Sequence, residues 1–345
     1  MSCNCFIIPQ DVLRRLASDT ELTDEVRRGM TYTAVMSDQV RAVRQQHGLL
    51  TLTAMQTLAP VNLRTPRPLP HTPPACNVFD VHHGTTLPGA QVANPGASAD
   101  APSKRAYVES EAVAKFYWDV FKRNSIDDQH MAINSSVHYS SNFNNAFWNG
   151  TQMVYGDGDG KIFVDFTLGN DVIGHELTHG VTQHSAAYSY VNEAGGLNES
   201  MSDVVGSMFR QWQAGQNVNA ADWLIGADIM GPVAKSKGFT CLRDMANPAA
   251  AHALAPQPTN FSQYHAGMDP HYSSGIPNFA FYKAAKAVGG HSWDKVGQIW
   301  YKALTTPPPN PNTTMVQFAN LTRSLSASDV PLHNAIHAAW VAVGL

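Results

Sequence analysis

His175-Glu176-Leu177-Thr178-His179 decides the reading of this chain. On a helix, residues four apart share a face, so both imidazoles can aim at one point. Chance would supply about 0.01 such strings in a chain of this composition. The flanking Val172, Ile173, Leu177 and Val181 give the segment an apolar side to anchor it. A hydrolytic zinc site needs three protein ligands and one open position. Asn198-Glu199-Ser200-Met201-Ser202-Asp203 offers the third ligand, because Glu199 and Asp203 are four apart on a second helix. The expected metal ligands of one zinc ion are therefore His175, His179 and Glu199, with Asp203 accepting the spare N–H of a ligating imidazole. Glu176 is rotated about 100° from His175, beside the metal, and is the expected general base.

Composition narrows the surroundings. The 345 residues carry 23 Lys+Arg against 27 Asp+Glu, a net charge of −4. A phosphate-neutralising nucleic-acid binder needs a basic excess, and no stretch approaches the ~18 apolar residues of a membrane span. The start, MSCNCFIIPQ, has no readable signal peptide. Cys3, Cys5, Cys76 and Cys241 are too few and scattered for a disulfide framework.

Residues 1 to about 50 read as a small helical unit: Pro9 suits a first turn, Val12, Leu13, Leu16 and Ala17 form one stripe, and Val26, Met30, Val40 and Val43 form another over Thr23–Gln46. Prolines 60, 66, 68, 70, 73 and 74 mark an exposed junction. From Cys76 to Asp165 strands and turns are expected, interrupted by a helix over Ser110–Arg123, with strands over Met131–Ser140 and Lys161–Phe166. Gly156-Asp157-Gly158-Asp159-Gly160 fails the EF-hand ladder at Lys161 and reads as a tight turn. Beyond it, helices are expected over Asn170–His184, Asn192–Trp212, Pro277–Val288, Ser292–Leu304, Thr313–Leu325 and Pro331–Val343. The class is α+β with two lobes.

Ser135–Gly160, Asn170–Ala186, Tyr190–Gly206 and Asp269–Ile276 together resemble the thermolysin-like zinc metalloendopeptidases, from residue 76 to the end. The resemblance implies a β-rich N-terminal lobe and a helical C-terminal lobe with zinc in the cleft between them. It implies attack by a zinc-bound water assisted by Glu176, with His271 and Tyr190 as donors to the oxyanion and Asp269 orienting His271. The spacing Asp269-Pro270-His271 is shorter than is usual in the family. Asn145 and Ala146 would hold the substrate backbone, and Arg243 a carbonyl next to the scissile bond. Phe163, Phe166, Val172, Ile225 and Leu242 would wall the primary pocket, favouring cleavage on the amino side of large apolar residues.

Family members surround a paired calcium site with carboxylates after this motif. Here Asp171 and Asp222 remain, while Arg210, Leu224 and Ala227 stand at positions expected to be acidic. The double calcium site is expected to be absent, with an Arg210 ion pair partly in its place; one calcium elsewhere is allowed. The short segment before the junction, with Phe6-Ile7-Ile8-Pro9 and Leu13, is similar to the start of protealysin-like members. The resulting division is residues 1–55 as an inhibitory propeptide, 56–184 as the β-rich lobe ending in the zinc helix, and 185–345 as the helical lobe. Whether Cys3 or Cys5 caps the zinc is open. The expected product is a bacterial protease made as a zymogen, monomeric, acting on peptides and proteins. Export by a non-standard route is the expectation, with a cytoplasmic location as alternative. A zinc aminopeptidase is the rival enzyme, but 19 residues (180–198) separate His179 from Glu199 instead of 18, and no Gly-x-Met-Glu-Asn element is present. A zinc-binding scaffold would be expected to lose Glu176 or His271 first.

Overall fold

The computed structural model describes residues 6–55 and 72–345, the side chains of 41–55 excepted. The readings that concern Cys3, Cys5, the prolines at 60–70 and the Val43 side chain lie outside the described residues.

Val12, Leu13 and Leu16 are buried along α1 (Gln10–Ser18), which Pro9 precedes as N-cap. Helix α2 (Asp24–Met55) is longer than expected and turns Val26, Met30 and Ala34 inward. The first lobe then builds β1 (Cys76–Asp80), β2 (Ala90–Gln91), α3 (Ala101–Phe121), β3 (Ile133–Val137), β4 (Ala146–Trp148) and β5 (Met153–Tyr155). These strands form one sheet in the order β2-β1-β3-β5-β4, with β1, β3 and β5 parallel and the two edge strands antiparallel to their neighbours.

Two sequence expectations fail here. Helix α3 starts nine residues before Ser110, because Asp100 accepts the Ser103 N–H (2.9 Å) and Pro102 occupies the first turn. Lys161–Phe166 is not a strand, despite its alternation. Asp159 Oδ1 accepts the N–H groups of Lys161 (2.9 Å), Ile162 (2.8 Å) and Phe163 (3.2 Å), taking up donors that a ladder would need. The Gly156–Gly160 turn itself is formed, with Gly158 and Gly160 both at φ +69.

Helices α4 (Asn170–Gln183) and α5 (Asn192–Gln213) cross at the base of the cleft. Their approach depends on two glycines: a Cβ on Gly206 would lie 2.5 Å from the Asp171 carbonyl oxygen, and one on Gly174 3.2 Å from Gly206 Cα. A short hairpin follows, β6 (Leu224–Ile225) and β7 (Arg243–Asp244), with α6 (Pro232–Ser236) between its strands. The second lobe closes with α7 (Pro270–Ser273), α8 (Gly275–Val288), α9 (Lys295–Thr305), α10 (Met315–Ser326) and α11 (Val330–Ala342) around the stacked Trp300–Trp340 pair, whose centroids are 5.7 Å apart. The chain is thus the expected sheet-containing lobe followed by a helical lobe. No helix among the described residues is long and apolar enough to cross a membrane.

Candidate metal centre and cleft

Helix α4 is buried from Asp171 to Thr182, so its two histidines face protein, not solvent. Their Nε2 atoms lie 3.0 Å apart. Glu199 on α5 meets both: Oε2 is 3.4 Å from His175 Nε2, and Oε1 is 3.5 Å from His179 Nε2. The opposite ring nitrogens are tied down. His175 Nδ1 is 2.8 Å from Asp203 Oδ1; His179 Nδ1 is 2.8 Å from Asn198 Oδ1 and 3.1 Å from the Ser202 hydroxyl. Both imidazoles therefore present Nε2 to the same point.

Two buried oxygens face this point without a hydrogen-bond partner, Glu176 Oε1 and Glu199 Oε2. Orphaned buried carboxylate oxygens beside two convergent imidazoles fit a cation. Nitrogen and oxygen donors of this kind suit zinc. Glu176 is the other carboxylate close to the imidazole pair, and its Oε2 accepts the Trp148 N–H (2.9 Å). Burial pushes Glu176 up to about 8. Burial likewise pulls His179 down to about 3. At His175 burial is outweighed by the Asp203 and Glu199 carboxylates, which raise it to about 9.

Asp203 is a hub. Besides His175 it accepts Arg243 Nε (2.9 Å) and Nη2 (2.7 Å) and Asn278 Nδ2 (2.8 Å). Burial opposes its charge, but Arg243 and His175 hold it down at about 2. On the far side, Tyr190 donates its hydroxyl proton to Glu199 and lies 3.2 Å from His271 Nε2. His271 Nδ1 is 2.7 Å from Asp269 Oδ1, so the short Asp-Pro-His spacing still pairs the two, with Asp269 capping α7. Burial disfavours a charge on His271, yet Glu199 and Asp269 outweigh it and raise its pKa.

The cleft above these groups holds residues 6–8 of the chain. Phe6 forms an antiparallel bridge to Phe147, their rings 4.7 Å apart. His271 Nε2 donates to the Phe6 carbonyl (2.6 Å), and the Ile7 N–H donates to the Ala146 carbonyl (3.2 Å). Arg243 Nη1 donates to the Ile7 carbonyl (3.2 Å). Asn145 accepts the Ile8 N–H (3.0 Å) and donates to its carbonyl (3.3 Å). Phe163, Phe166, Val172, Ile225 and Leu242 are all fully buried, in the continuous core that also takes in Ile7 and Ile8.

Direct contacts thus link His175, His179, Glu199, Asp203, Tyr190, Asp269, His271, Arg243, Asn145 and Ala146 to one another or to residues 6–8, while Phe163, Phe166, Val172, Ile225 and Leu242 are placed only in the shared core. Asn198, Ser202 and Asn278 were missed. The first two could have been found, since they are four apart on the helix that carries Glu199 and Asp203. Asn278, on a different helix, leaves no such signal.

Two family models match the chain. Residues 62–183 match the thermolysin metallopeptidase catalytic domain, and residues 186–345 its alpha-helical domain. The chain belongs to the thermolysin family of metallopeptidases, zinc-dependent enzymes that hydrolyse peptide bonds. It is 36% identical to an extracellular metalloprotease of Pectobacterium carotovorum subsp. carotovorum over 99% of this chain and 96% of that one. It is 39% identical to the protease PrtS of a Photorhabdus strain, over 78% of this chain and 76% of that one. Among solved structures, the precursor of protealysin from Serratia proteamaculans superposes with a TM-score of 0.81 at 33% identity, covering 99% of both chains.

Proposed function

We propose that residues 1–55 are the inhibitory propeptide of this zinc endopeptidase, and that 56–184 and 185–345 are its two catalytic lobes. The observation that carries this is the run from the Phe6 carbonyl to the Ile8 carbonyl, every backbone polar group of which is engaged by the cleft. An extended segment added to the edge of β4 in this way occupies the path of a peptide substrate.

In this reading His175, His179 and Glu199 hold the zinc. When bound, the ion supplies a positive charge that acidifies water and polarises a carbonyl. Asp203 and Asn198 fix the two imidazoles with Nε2 toward it. Glu176 takes a proton from the attacking water and hands it to the leaving amine. His271, oriented by Asp269, and Tyr190 donate to the substrate oxygen as charge builds there, and such donors are worth about 3 kcal/mol each. A substrate carbonyl in the position of Phe6 O would be the one attacked. The next residue, in the position of Ile7, would direct its side chain to the pocket of Phe163, Phe166, Val172, Ile225 and Leu242, with Asn145, Ala146 and Arg243 holding the backbone. That favours cleavage on the amino side of large apolar residues. The likeness to an extracellular metalloprotease supports action outside the cell.

The double calcium site is replaced, in our reading, by Arg210. Its guanidinium lies 2.5 Å from Asp228, 3.5 Å from Asp222 and 3.9 Å from Asp171, which supports a fixed positive charge where divalent cations would otherwise be needed.

Incubating the purified full chain beside its Glu176→Ala variant, with N-terminal sequencing, a zinc count and a casein digest, tests the proposal. The parent should shed its first segment and then digest casein with cuts before large apolar residues. The variant should stay intact with the same zinc content. Processing of both at one rate in the absence of any other protease, or cuts mainly after Lys and Arg, would sink it.

A further inference from the structure

The parallel strands β1, β3 and β5 end side by side. The pairing continues past their formal ends: the His83 N–H donates to the His138 carbonyl (2.9 Å) and the Tyr139 N–H to the Tyr155 carbonyl (3.0 Å). A potential metal ligand that faces the others follows each strand: His83 after β1, His138 after β3 and Asp157 after β5. The crevice beyond the carboxyl ends of parallel strands is where such sheets gather ligands.

The three side chains converge, each offering a ligand atom within 4.8 Å of the others. Asp157 Oδ2 is 3.4 Å from His83 Nδ1, and Asp157 Oδ1 is 2.9 Å from His138 Nδ1. Metal–ligand bonds near 2.1 Å at tetrahedral angles put donor atoms about 3.4 Å apart, so small rotations suffice. The far nitrogen of His138 is 3.2 Å from Asp100 Oδ2, the carboxylate partner that a ligating imidazole usually has. His82, next in the chain, turns instead to Asp80 (3.0 Å). The His83 side chain is 56% exposed, against 16% for His138 and 26% for Asp157, so the site opens to solvent at one corner. Both histidines hold left-handed backbone, φ +59 at His83 and φ +57 at His138, a conformation uncommon for residues other than glycine.

We propose that His83, His138 and Asp157 form a second zinc site, sharing no residue with the His175–His179–Glu199 cluster, with Asp100 orienting His138 and water completing the shell. Two imidazoles and one carboxylate suit a first-row divalent ion and are poor ligands for calcium or magnesium. An ion there fastens the turn that carries Asp157. Two residues further on, the Asp159 N–H donates to Asn144 Oδ1 (3.0 Å), next to Asn145 in the cleft wall. The competing occupant is a proton: the Asp157 hydrogen bond, with help from Asp100 and against burial, raises His138 to about 9.

Zinc titration of the chelator-stripped full chain in a Glu176→Ala background, read by calorimetry, decides between ion and proton. His83→Asn is the variant, because asparagine accepts left-handed backbone; Asp157→Asn is the second, should the first unfold by circular dichroism. The expected result is one zinc equivalent fewer per chain in the variant than in the parent, whatever the cleft binds. Equal uptake by parent and variant would mean that His138 is simply a protonated bridge between two aspartates, and overturns the proposal.

Discussion

Asp171 and Asp203 are both fully buried, one at the start of α4 and the other on α5, and each has an arginine nearby. Their protons behave oppositely. Asp203 is drawn down to about 2, although burial is the largest single influence on it and acts the other way. Asp171 is pushed up, because there burial wins. The difference lies in the donors. Asp203 receives two guanidinium N–H groups, an imidazole and an amide. Asp171 receives two backbone N–H groups, from Gly226 (2.6 Å) and Val172 (3.0 Å), and its arginine stands 3.9 Å off, shared with Asp222 and Asp228. An arginine in the neighbourhood does not settle a buried carboxylate; direct, multiple hydrogen bonds do.

The largest expected effect comes from Asp203→Ala. It leaves the fully buried Arg243 charge without its carboxylate and His175 Nδ1 without its acceptor, so urea unfolding of the full chain should show a loss of about 3–5 kcal/mol. Zinc affinity should fall about 10–100-fold with it, as for other partners of ligating imidazoles. A loss below about 1 kcal/mol would mean that the hub in the cleft carries no more than a surface pair does.

Acid should separate the two aspartates next. Asp203 has its proton affinity lowered by folding, from its ordinary value of 3.8 to about 2, so its contribution is complete above pH 4 and drains away as the pH falls toward 2. That amounts to about 2 kcal/mol at one pKa unit per 1.36 kcal/mol. Asp171 has its affinity raised, so folding takes up a proton there and the group contributes in the opposite direction, recovering stability as the pH falls through its folded value. The parent should therefore lose stability on acidification between about pH 4 and 2 more steeply than Asp203→Ala does. Parallel acid profiles would contradict the hydrogen-bond account of Asp203.

Much of this site was legible because helical spacing is short-range arithmetic. His175, His179, Glu199 and Asp203 lie on two strongly periodic segments, and their mutual positions follow once those segments are helices that cross. The start of α3 is signalled too, in Asp100 and Pro102, although the stretch from Cys76 to Asp165 reads mostly as strand and turn. Lys161–Phe166 misled because alternation counts side chains while the carboxylate of Asp159 decides where the backbone donors go. The seating of Phe6–Ile8 is harder still. It is made by main-chain groups meeting residues about 140 to 265 positions away, and backbone polar groups are the same at every position. No spacing encodes them, and only the resemblance to precursors of the family pointed to the segment.

Asp171→Asn should be the gentlest of these changes. The substitution removes a charge that burial disfavours but also one of two acceptor oxygens, so the gain from neutralising the group and the cost of one unmet backbone N–H oppose each other. Unfolding stability at neutral pH should stay within about 1 kcal/mol of the parent, because Arg210 keeps Asp228 and Asp222 as partners. A loss approaching that of Asp203→Ala would show that the charge on Asp171 is needed and that proximity of Arg210 is enough after all. The same measurement in millimolar calcium sharpens the contrast. If calcium raises the unfolding midpoint of the parent and leaves that of Asp171→Asn unmoved, a cation is the stronger partner of this carboxylate. If calcium moves neither, the guanidinium has taken the cation's place.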